Sequence, residues 1–315
     1  MLRIGVDAMG GDYAPVQVIL GAAEAVQQLS GSAIVVLLGD AEKITGICRE
    51  NGIDPGIFVI YPCSQVLEMH EQPVTTYKQK PDSSMARGFQ LLAAGELDAF
   101  ASAGNTGAML VGAVTTVGTL TGVFRPCISA EIPLLNGGRM LLLDVGFNTD
   151  AKPDVLFQFA ELGAVYAQTI MGIPDPKVAL LNIGEESEKG NMSSREAYKL
   201  MQEAPGFRFV GNMEANHLYD GGIADVLVCD GFVGNICLKQ SEALYSVCNR
   251  LGLNREFLNR FNYEEYGGTP VLGINAPVVI GHGVSTPKAI CRMIYAAYQV
   301  AEHHLVDRIR ERMTP

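Results

Sequence analysis

The chain has 315 residues, of which 48% are hydrophobic, and a formal net charge of −11. That size allows a large core in one α/β domain or in two smaller ones. The acidic balance argues against general nucleic-acid binding, which needs a clustered basic surface. Seven cysteines without CxxC spacing argue against a disulfide framework or a structural zinc site, and they favour a reducing, cytoplasmic compartment.

Strand patterns alternate with helical patterns along the chain. Because a strand pattern begins at residue 2, we expect no signal peptide. The predicted strands cover residues 2–6, 33–38, 58–61, 99–101, 127–132, 139–143, 178–181, 207–210, 226–229 and 278–280. The predicted helices cover 15–29 with Asp12 as N-cap, 83–94 with Asp82 or Ser83 as N-cap, 108–117, 150–171, 193–203 and 287–312, and further helices follow Asp40 and Asn235.

This order predicts an α/β fold, a three-layer α/β/α sandwich with a largely parallel sheet. Asn136-Gly137-Gly138 predicts one antiparallel hairpin. We expect a single domain over 1–315 with a short helical excursion at about 236–265. The uncharged run 99–124 has an apolar part shorter than the ~20 residues of a membrane span, and it is predicted to be a buried helix.

Small and polar residues follow the carboxyl ends of many predicted strands. Such ends lie along one edge of an open parallel sheet, where ligands bind. Taken one by one these turns have ordinary structural explanations, but as a set they predict a site. The residues are Asp7, Asp12, Ser102, Asn105, Asp144, Asn148, Asn182, Glu185, Asn212, Glu214, Asp230, Asn235 and His282.

The turn over residues 102–107 is the clearest of these. A strand, a small polar turn and then a helix leave backbone N–H groups without partners at the positive end of the helix dipole. Gly104 permits close approach of an anion, and Ser102, Asn105 and Thr106 add side-chain donors. The alternative is an ordinary strand-to-helix turn with good capping residues.

Nucleotide binding, thiol catalysis and metal binding have weaker support in the sequence. There is no GxxxxGK[ST], GxSxG or HExxH motif. Cys127 and Cys229 lie in apolar strands, which favours inert buried thiols over nucleophiles. No close acidic pair suggests a Mg²⁺ site. His282, between two glycines, is either an anion donor or acid/base group, or a plain turn histidine.

Several long motifs resemble the phosphate acyltransferases of bacterial phospholipid synthesis, the PlsX family. They occur in order over nearly the whole chain. The motifs are 6–12 with Ala14-Pro15, 102–108, Arg125-Pro126, 142–146, 180–184 with Lys189-Gly190-Asn191, 230–235 and Tyr266-Gly267-Gly268.

The resemblance implies transfer of a fatty acyl group from acyl carrier protein to inorganic phosphate, giving an acyl phosphate. It also implies a fold like that of phosphotransacetylases and isocitrate/isopropylmalate dehydrogenases, no cofactor and no metal, and a homodimer. A peripheral association with the inner face of the membrane, and hand-off to a glycerol-3-phosphate acyltransferase, follow from the same resemblance.

Phosphate is already an anionic nucleophile, so such an enzyme must chiefly hold it, exclude water and stabilise the oxyanion. We assign a phosphate cradle, charge compensation, oxyanion donors and loop orientation as hypotheses. Ser102, Gly104, Asn105 and Thr106 form the cradle, with Gly10 and Gly11. Lys189 or Arg125 compensates the phosphate charge, and Asn182, Asn212 or His282 donates to the oxyanion. The residues that orient the loops are Asp7, Asp12, Asp144, Asp230 and Asn235.

The chain departs from the family pattern at three places. Tyr13 stands where the family usually has histidine, residues 284–287 alter a serine-rich motif, and the segment between Asn235 and Tyr266 is short. That segment mixes apolar and basic residues, which predicts contact with a membrane or an acidic carrier protein, or else a solvated helix face. The residues are Leu244, Val247, Leu251 and Leu258 beside Arg250, Arg255 and Arg260.

Two other functions remain open at the level of sequence. A metal- and NAD-dependent decarboxylating dehydrogenase would share the fold class and would require Mg²⁺ or Mn²⁺. A non-catalytic scaffold would bind carrier protein or membrane without phosphate-dependent loss of the thioester.

Overall fold

The computed structural model describes residues 1–253 and 256–314, with residue 263 as backbone only. The strands are β1 Leu2–Asp7, β2 Ala33–Gly39, β3 Val59–Pro62, β4 Ala99–Ser102, β5 Cys127–Pro133, β6 Arg139–Leu143, β7 Lys177–Asn182, β8 Arg208–Glu214, β9 Val226–Val228, β10 Gly268–Leu272 and β11 Val278–Gly281. Arg255 of the mixed apolar and basic segment lies outside the described residues.

The α-helices follow the strands in the alternation expected from the sequence. They are α1 Val16–Leu29, α2 Ala41–Glu50, α3 Pro73–Gln79, α4 Ser84–Ala93, α5 Thr106–Gly112, α6 Pro153–Thr169, α7 Met192–Gln202, α8 Gly231–Arg250, α9 Glu256–Asn259, α10 Pro287–Glu302 and α11 Leu305–Met313. A π-helical turn, Ala113–Val117, continues α5. In the described part of the chain, no helix is both long enough and apolar enough to cross a bilayer.

The chain divides into two compact units. The first consists of residues 1–119 and 263–306, and the second of residues 120–262 together with the C-terminal residues from 307. Whether the two form the single domain expected from the sequence stays a prediction.

In the first unit the strand order is β3-β2-β1-β4-β11-β10. All neighbours are parallel except β10, which is antiparallel to β11. Alternate residues of a strand point to opposite faces. Ile4 and Val6 therefore share one face, where they pack against α1 and α10. On the other face Phe100 meets Phe89 of α4, with ring centroids 5.0 Å apart. These contacts make three layers.

In the second unit the strand order is β5-β6-β9-β7-β8. The hairpin predicted at residues 136–138 is confirmed, because β5 and β6 pair antiparallel. The other neighbours are parallel. Helix α6 packs on this sheet so closely that a Cβ added to Gly163 would lie 2.5 Å from Val226 Cγ1. The predicted α/β class with a largely parallel sheet is confirmed.

Three local predictions are wrong or incomplete. Asp12 does not cap α1, which begins at Val16; Pro15 is its N-cap and no side chain bonds there. The predicted strand 207–210 continues to Glu214 and so includes Asn212. The helix predicted over 287–312 is two helices, because the backbone turns at His304 with φ 53°. Leu305 and Ile309 remain buried at helical spacing, so the apolar pattern gives no sign of the break.

Two elements had no prediction. Helix α3 begins with Pro73 and contains two threonines, a composition with low helix propensity, but Gln72 caps it through Thr75 N at 2.8 Å. Strand β10 contains Gly268 and Pro270, residues that are disfavoured inside strands.

Candidate functional site

The loops after β1, β4 and β11 meet at one edge of the first unit's sheet. These three strands are neighbours and parallel, so their carboxyl ends lie side by side. Asp12 N donates to Gly283 O at 2.8 Å and joins the first loop to the third. Gly11 has φ +124°, and a Cβ there would lie 3.3 Å from Gly283 O. His282, in the third loop, is exposed.

Asp7 organises the floor of this edge. Its carboxylate is buried, and Ser102 Oγ donates to Oδ2 at 2.7 Å while Met9 N donates to Oδ1 at 3.1 Å. Burial raises the pKa of the Asp7 carboxyl, and hydrogen bonds from Ser84, Ser102 and the N–H groups of Met9 and Gly10 oppose that rise. A Cβ added to Gly10 would lie 2.4 Å from Asp7 Oδ2, so only glycine fits.

Ser102 connects Asp7 to the turn that follows β4 through two hydrogen bonds. Its hydroxyl gives its one hydrogen to Asp7 and accepts from Gly104 N at 2.9 Å. Ser102 is fully buried. Its side chain therefore shapes the turn, and the donors that face outward are elsewhere in the turn.

The Asn105 side chain is also fully engaged. Oδ1 accepts from Ala108 N at 3.0 Å and caps α5, while Nδ2 donates to Met69 O at 2.9 Å and Glu71 O at 3.0 Å. A second clamp holds the same segment, because Lys80 Nζ bonds both Glu71 carboxylate oxygens, at 2.8 and 2.7 Å. Asn105 thus ties the turn to residues 69–71.

The outward donors of the turn belong to Thr106 and Gly107. The first i→i−4 bond of α5 is Met109 N to Asn105 O, 3.0 Å, so the N–H groups of Thr106 and Gly107 precede the helical ladder. The Thr106 hydroxyl is exposed and has no hydrogen bond to a described residue. Two backbone donors and one hydroxyl at a helix start suit an anion.

The second unit has its own organising carboxylate, Asp144. It is buried and accepts from Ile128 N at 3.0 Å, Phe147 N at 3.2 Å and Asn148 N at 2.6 Å. Asn148 Nδ2 also reaches Asp144 Oδ2 at 2.8 Å. Such a donor set fixes the loop after β6 and leaves the carboxylate little capacity for a ligand.

Asp230 and Asn235 fix the start of α8. Asp230 Oδ1 accepts from Val233 N at 2.8 Å as the N-cap, and Asn235 Nδ2 donates to Val145 O at 3.1 Å. A Cβ added to Gly234 would lie 1.9 Å from Asp144 O, so glycine is required where the helix crosses this loop.

Asn182 and Asn212 bond to each other and organise the loop that carries Lys189. Asn182 Nδ2 donates to Asn212 Oδ1 at 3.0 Å and to Lys189 O at 3.2 Å. Asn212 Nδ2 donates to Glu186 O at 2.8 Å. The Lys189 side chain is exposed on this loop.

Arg125 is exposed on a segment that is fixed on both sides. Gln158 Oε1 accepts from Phe124 N at 2.7 Å, and Asn148 Nδ2 donates to Pro126 O at 2.8 Å. Sequence reasoning missed Gln158, a buried amide in an otherwise apolar stretch of α6.

The described residues offer no arrangement of side chains that suits metal binding or a reactive thiol. Among residues 1–253 and 256–314, no group of three or more His, Cys, Asp or Glu side chains could hold a metal ion. Burial raises the pKa of the Cys127 and Cys229 thiols well above the usual value, which disfavours the thiolate.

The sequence is similar to that of known phosphate acyltransferases. A family profile described as "Fatty acid synthesis protein" matches residues 2–256. The phosphate acyltransferase of Dictyoglomus thermophilum is 39% identical over 329 residues, covering 98% of this chain and 97% of its own length. That of Thermoanaerobacterium thermosaccharolyticum is 40% identical over 328 residues, covering 98% and 96%.

The fold is similar to that of enzymes that are more distant in sequence. A phosphotransacetylase from Streptococcus pyogenes gives a TM-score of 0.69 at 18% identity, with 96% of this chain and 94% of that one covered. A branched-chain phosphotransacylase from Enterococcus faecalis gives 0.65 at 18%, covering 96% and 100%. A 4-hydroxythreonine-4-phosphate dehydrogenase from Klebsiella pneumoniae gives 0.59 at 15%, covering 96% and 98%. The expected phosphotransacetylase-like fold is confirmed.

Proposed function

Because this chain belongs to the phosphate acyltransferase family, we propose that it transfers a fatty acyl group from acyl carrier protein to inorganic phosphate. The observation that carries the proposal is the turn after β4. Hydrogen bonds from Asp7 through Ser102 to Gly104 N fix this turn. Its N–H groups at Thr106 and Gly107 and the Thr106 hydroxyl are the donors available to a ligand. Such a turn can bind phosphate without a metal ion.

In this proposal the turn residues divide into ligands and supports. Thr106 and Gly107 contact phosphate, Gly10, Gly11 and Gly104 keep the backbone close, and Ser102 and Asn105 hold the turn. His282 is exposed on the neighbouring loop, and we assign it as a donor to the thioester carbonyl oxygen.

The proposed acyl transfer requires few catalytic groups from the protein. A phosphate oxygen attacks the thioester carbonyl carbon and forms a C–O bond; the electron pair of the carbonyl moves to oxygen and then returns as the C–S bond breaks. The products are an acyl phosphate and the carrier thiolate, which takes a proton from water. Catalysis therefore depends on positioning and on stabilising the oxyanion.

Charge compensation by Lys189 or Arg125, which both lie in the second unit, stays a prediction. Lys189 and Arg125 are exposed cations on loops fixed by buried amides, Asn182 with Asn212 in one case and Gln158 in the other. Since the Asn182 amide donates to Asn212 Oδ1 and to Lys189 O, we assign Asn182 and Asn212 to holding Lys189 rather than to the oxyanion.

Partner binding is proposed for the exposed side of α8. Large apolar side chains recur there at helical spacing, which supports a homodimer, peripheral membrane contact or carrier-protein docking. The Arg260 guanidinium bonds Leu134 O at 3.0 Å and also Gly138 O, so it holds the β5–β6 turn. The exposed apolar residues are Phe232, Ile236, Leu244, Val247 and Leu251.

The test is loss of thioester from a long-chain acyl carrier protein, with and without inorganic phosphate. Release of carrier thiol that depends on phosphate, with matching acyl phosphate trapped as hydroxamate, is the expected result. Binding without release would instead indicate a scaffold. NAD-dependent turnover that requires Mg²⁺ would indicate a dehydrogenase.

A further inference from the structure

Residues 66–73, which we call the strap, run beside the phosphate turn, residues 102–107, in the first unit. Asn105 Nδ2 donates to two carbonyl oxygens of the strap, Met69 O at 2.9 Å and Glu71 O at 3.0 Å. These two carbonyls flank a single residue, so the strap bends around the Asn105 amide. The position of the strap therefore determines which acceptors the N-cap residue of α5 finds.

Two glycines allow the strap to pack closely on the loops of the candidate site. A Cβ added to Gly107 would lie 2.5 Å from Pro73 Cγ, and one added to Gly283 would lie 2.8 Å from Met69 Cε. Gly107 belongs to the phosphate turn, and Gly283 belongs to the loop after β11. The strap thus packs against two of the three loops that meet at this edge of the sheet.

Lys80 fixes the strap from the end of α3. Its Nζ donates to Val66 O at 2.8 Å and to the Glu71 carboxylate oxygens Oε1 and Oε2 at 2.8 and 2.7 Å. Glu68 N donates to the same carboxylate at 2.9 Å. An ammonium group has three hydrogens and no acceptor, so these three contacts use all of its donors. The strap is therefore held at its first residue and on both sides of Met69.

We propose that Lys80 is a positioning residue for phosphate binding, acting through Glu71 and Asn105 on the phosphate turn. This inference rests on the proposed function and deepens it. The Glu71 carbonyl oxygen accepts from Asn105 Nδ2, while Asn105 Oδ1 accepts from Ala108 N at 3.0 Å and caps α5. If the strap is released, the Asn105 amide has less defined acceptors. The N–H groups at the start of the helix are then less precisely oriented for an anion.

A purely electrostatic role of Lys80 makes the opposite prediction for its partner. If Lys80 acted only by attracting the anion, removal of the Glu71 charge would strengthen phosphate binding. If Lys80 acts by holding the strap, the same change weakens binding, because Glu71→Gln replaces one acceptor oxygen of the clamp by an amide that donates. The direction of the change in the phosphate KM separates the two roles.

The experiment compares Lys80→Met and Glu71→Gln with the control Arg87→Met. Arg87 Nε donates to Asp82 Oδ1 at 2.8 Å, so the control loses one positive charge and one ion pair that does not hold the strap. The phosphate KM and the kcat are measured in the thioester-loss assay, together with thermal unfolding. For Lys80→Met we expect roughly a tenfold rise in the phosphate KM at an unchanged kcat, as for loss of hydrogen bonds to a charged group. Glu71→Gln should raise the phosphate KM as well.

Arg87→Met should keep the wild-type phosphate KM and lower thermal stability about as much as Lys80→Met does, since both ion pairs are partly exposed. Equal phosphate KM values for Lys80→Met and Arg87→Met would overturn the inference. If Lys80→Met does not fold, Glu71→Gln decides, and a phosphate KM at or below the wild-type value there would also overturn it. A wild-type enzyme whose thioester loss does not depend on phosphate would instead refute the proposed function.

Discussion

Asn105 shows how far a residue's chemistry depends on what already bonds it. Judged from the sequence, an asparagine in a turn that also contains Gly104 and Gly107 suits an anion cradle. In the folded chain its amide caps α5 and holds the carbonyls of Met69 and Glu71. A buried amide whose hydrogens are both bonded supports a site and does not bind the ligand.

The substitution Asn105→Asp distinguishes the two roles of Asn105, the amide bonds to Met69 O and Glu71 O and the N-cap of α5. The variant keeps an oxygen for Ala108 N but sets a carboxylate against the carbonyl oxygens of Met69 and Glu71 and adds charge beside the proposed anion. We expect a phosphate KM raised by about tenfold or more, since an unpaired buried group costs roughly 1–3 kcal/mol. Steady-state kinetics with varied phosphate measures this.

The control is Asn51→Asp, at the end of α2. Asn51 Nδ2 donates to Ile47 O at 2.9 Å, so this exposed variant loses a similar bond and gains the same charge away from the site. An unchanged phosphate KM in both variants would contradict a supporting role for Asn105.

At the scale of elements, the first unit depends on the close contact of α1 with α10. A Cβ added to Gly21 would lie 2.4 Å from Pro287 O and 2.6 Å from Ile290 Cβ. Backbone and β-branched atoms cannot move aside cheaply. Gly21→Ala should therefore lower the free energy of unfolding by about 1–3 kcal/mol, as overpacked cores do, measured by denaturant unfolding.

Gly46→Ala is the matched substitution in α2. Nothing lies within 4 Å of a Cβ at Gly46. The added methyl group has free space and the helix gains propensity, so stability should rise by up to about 1 kcal/mol. A destabilised Gly46→Ala together with a neutral Gly21→Ala would show that the packing of α1 on α10 is not as tight as described.

The elements that the sequence predicts are those with strong local signals. Apolar runs bounded by glycine or aspartate predict β1, β2, β6 and β11, and Ser83 predicts the start of α4, because each signal lies within a few residues. The start of α1 was misplaced because Asp12 bonds across to Gly283, a residue far along the chain. The break at His304 and the strand containing Pro270 likewise depend on tertiary contacts, which override local propensity.

At the scale of the whole molecule, the first unit joins segments that are distant in sequence. Strand β11 lies beside β4 in the sheet, with more than half the chain between them. Polar residues after strands predicted a set of site residues. Their grouping by unit, with Asp7, Ser102, Asn105 and His282 in one and Asp144, Asn182, Asn212 and Lys189 in the other, depends on strand order, which local patterns do not encode.

Hydrogen exchange in the presence of phosphate tests the assignment over the whole chain at once. A ligand that binds only the closed state of a site slows exchange through opening by about 1 + [L]/Kd, roughly a hundredfold at 100 times the Kd. We expect slower exchange in residues 8–12 and 102–108 at saturating phosphate, compared with chloride at equal ionic strength. Slower exchange over 122–126 would identify Arg125 as the compensating cation, and over 183–190 it would identify Lys189. Protection confined to the second unit would contradict the phosphate turn, whereas protection of 102–108 that Asn105→Asp weakens and Asn51→Asp leaves intact would place phosphate on the turn that Asp7 holds.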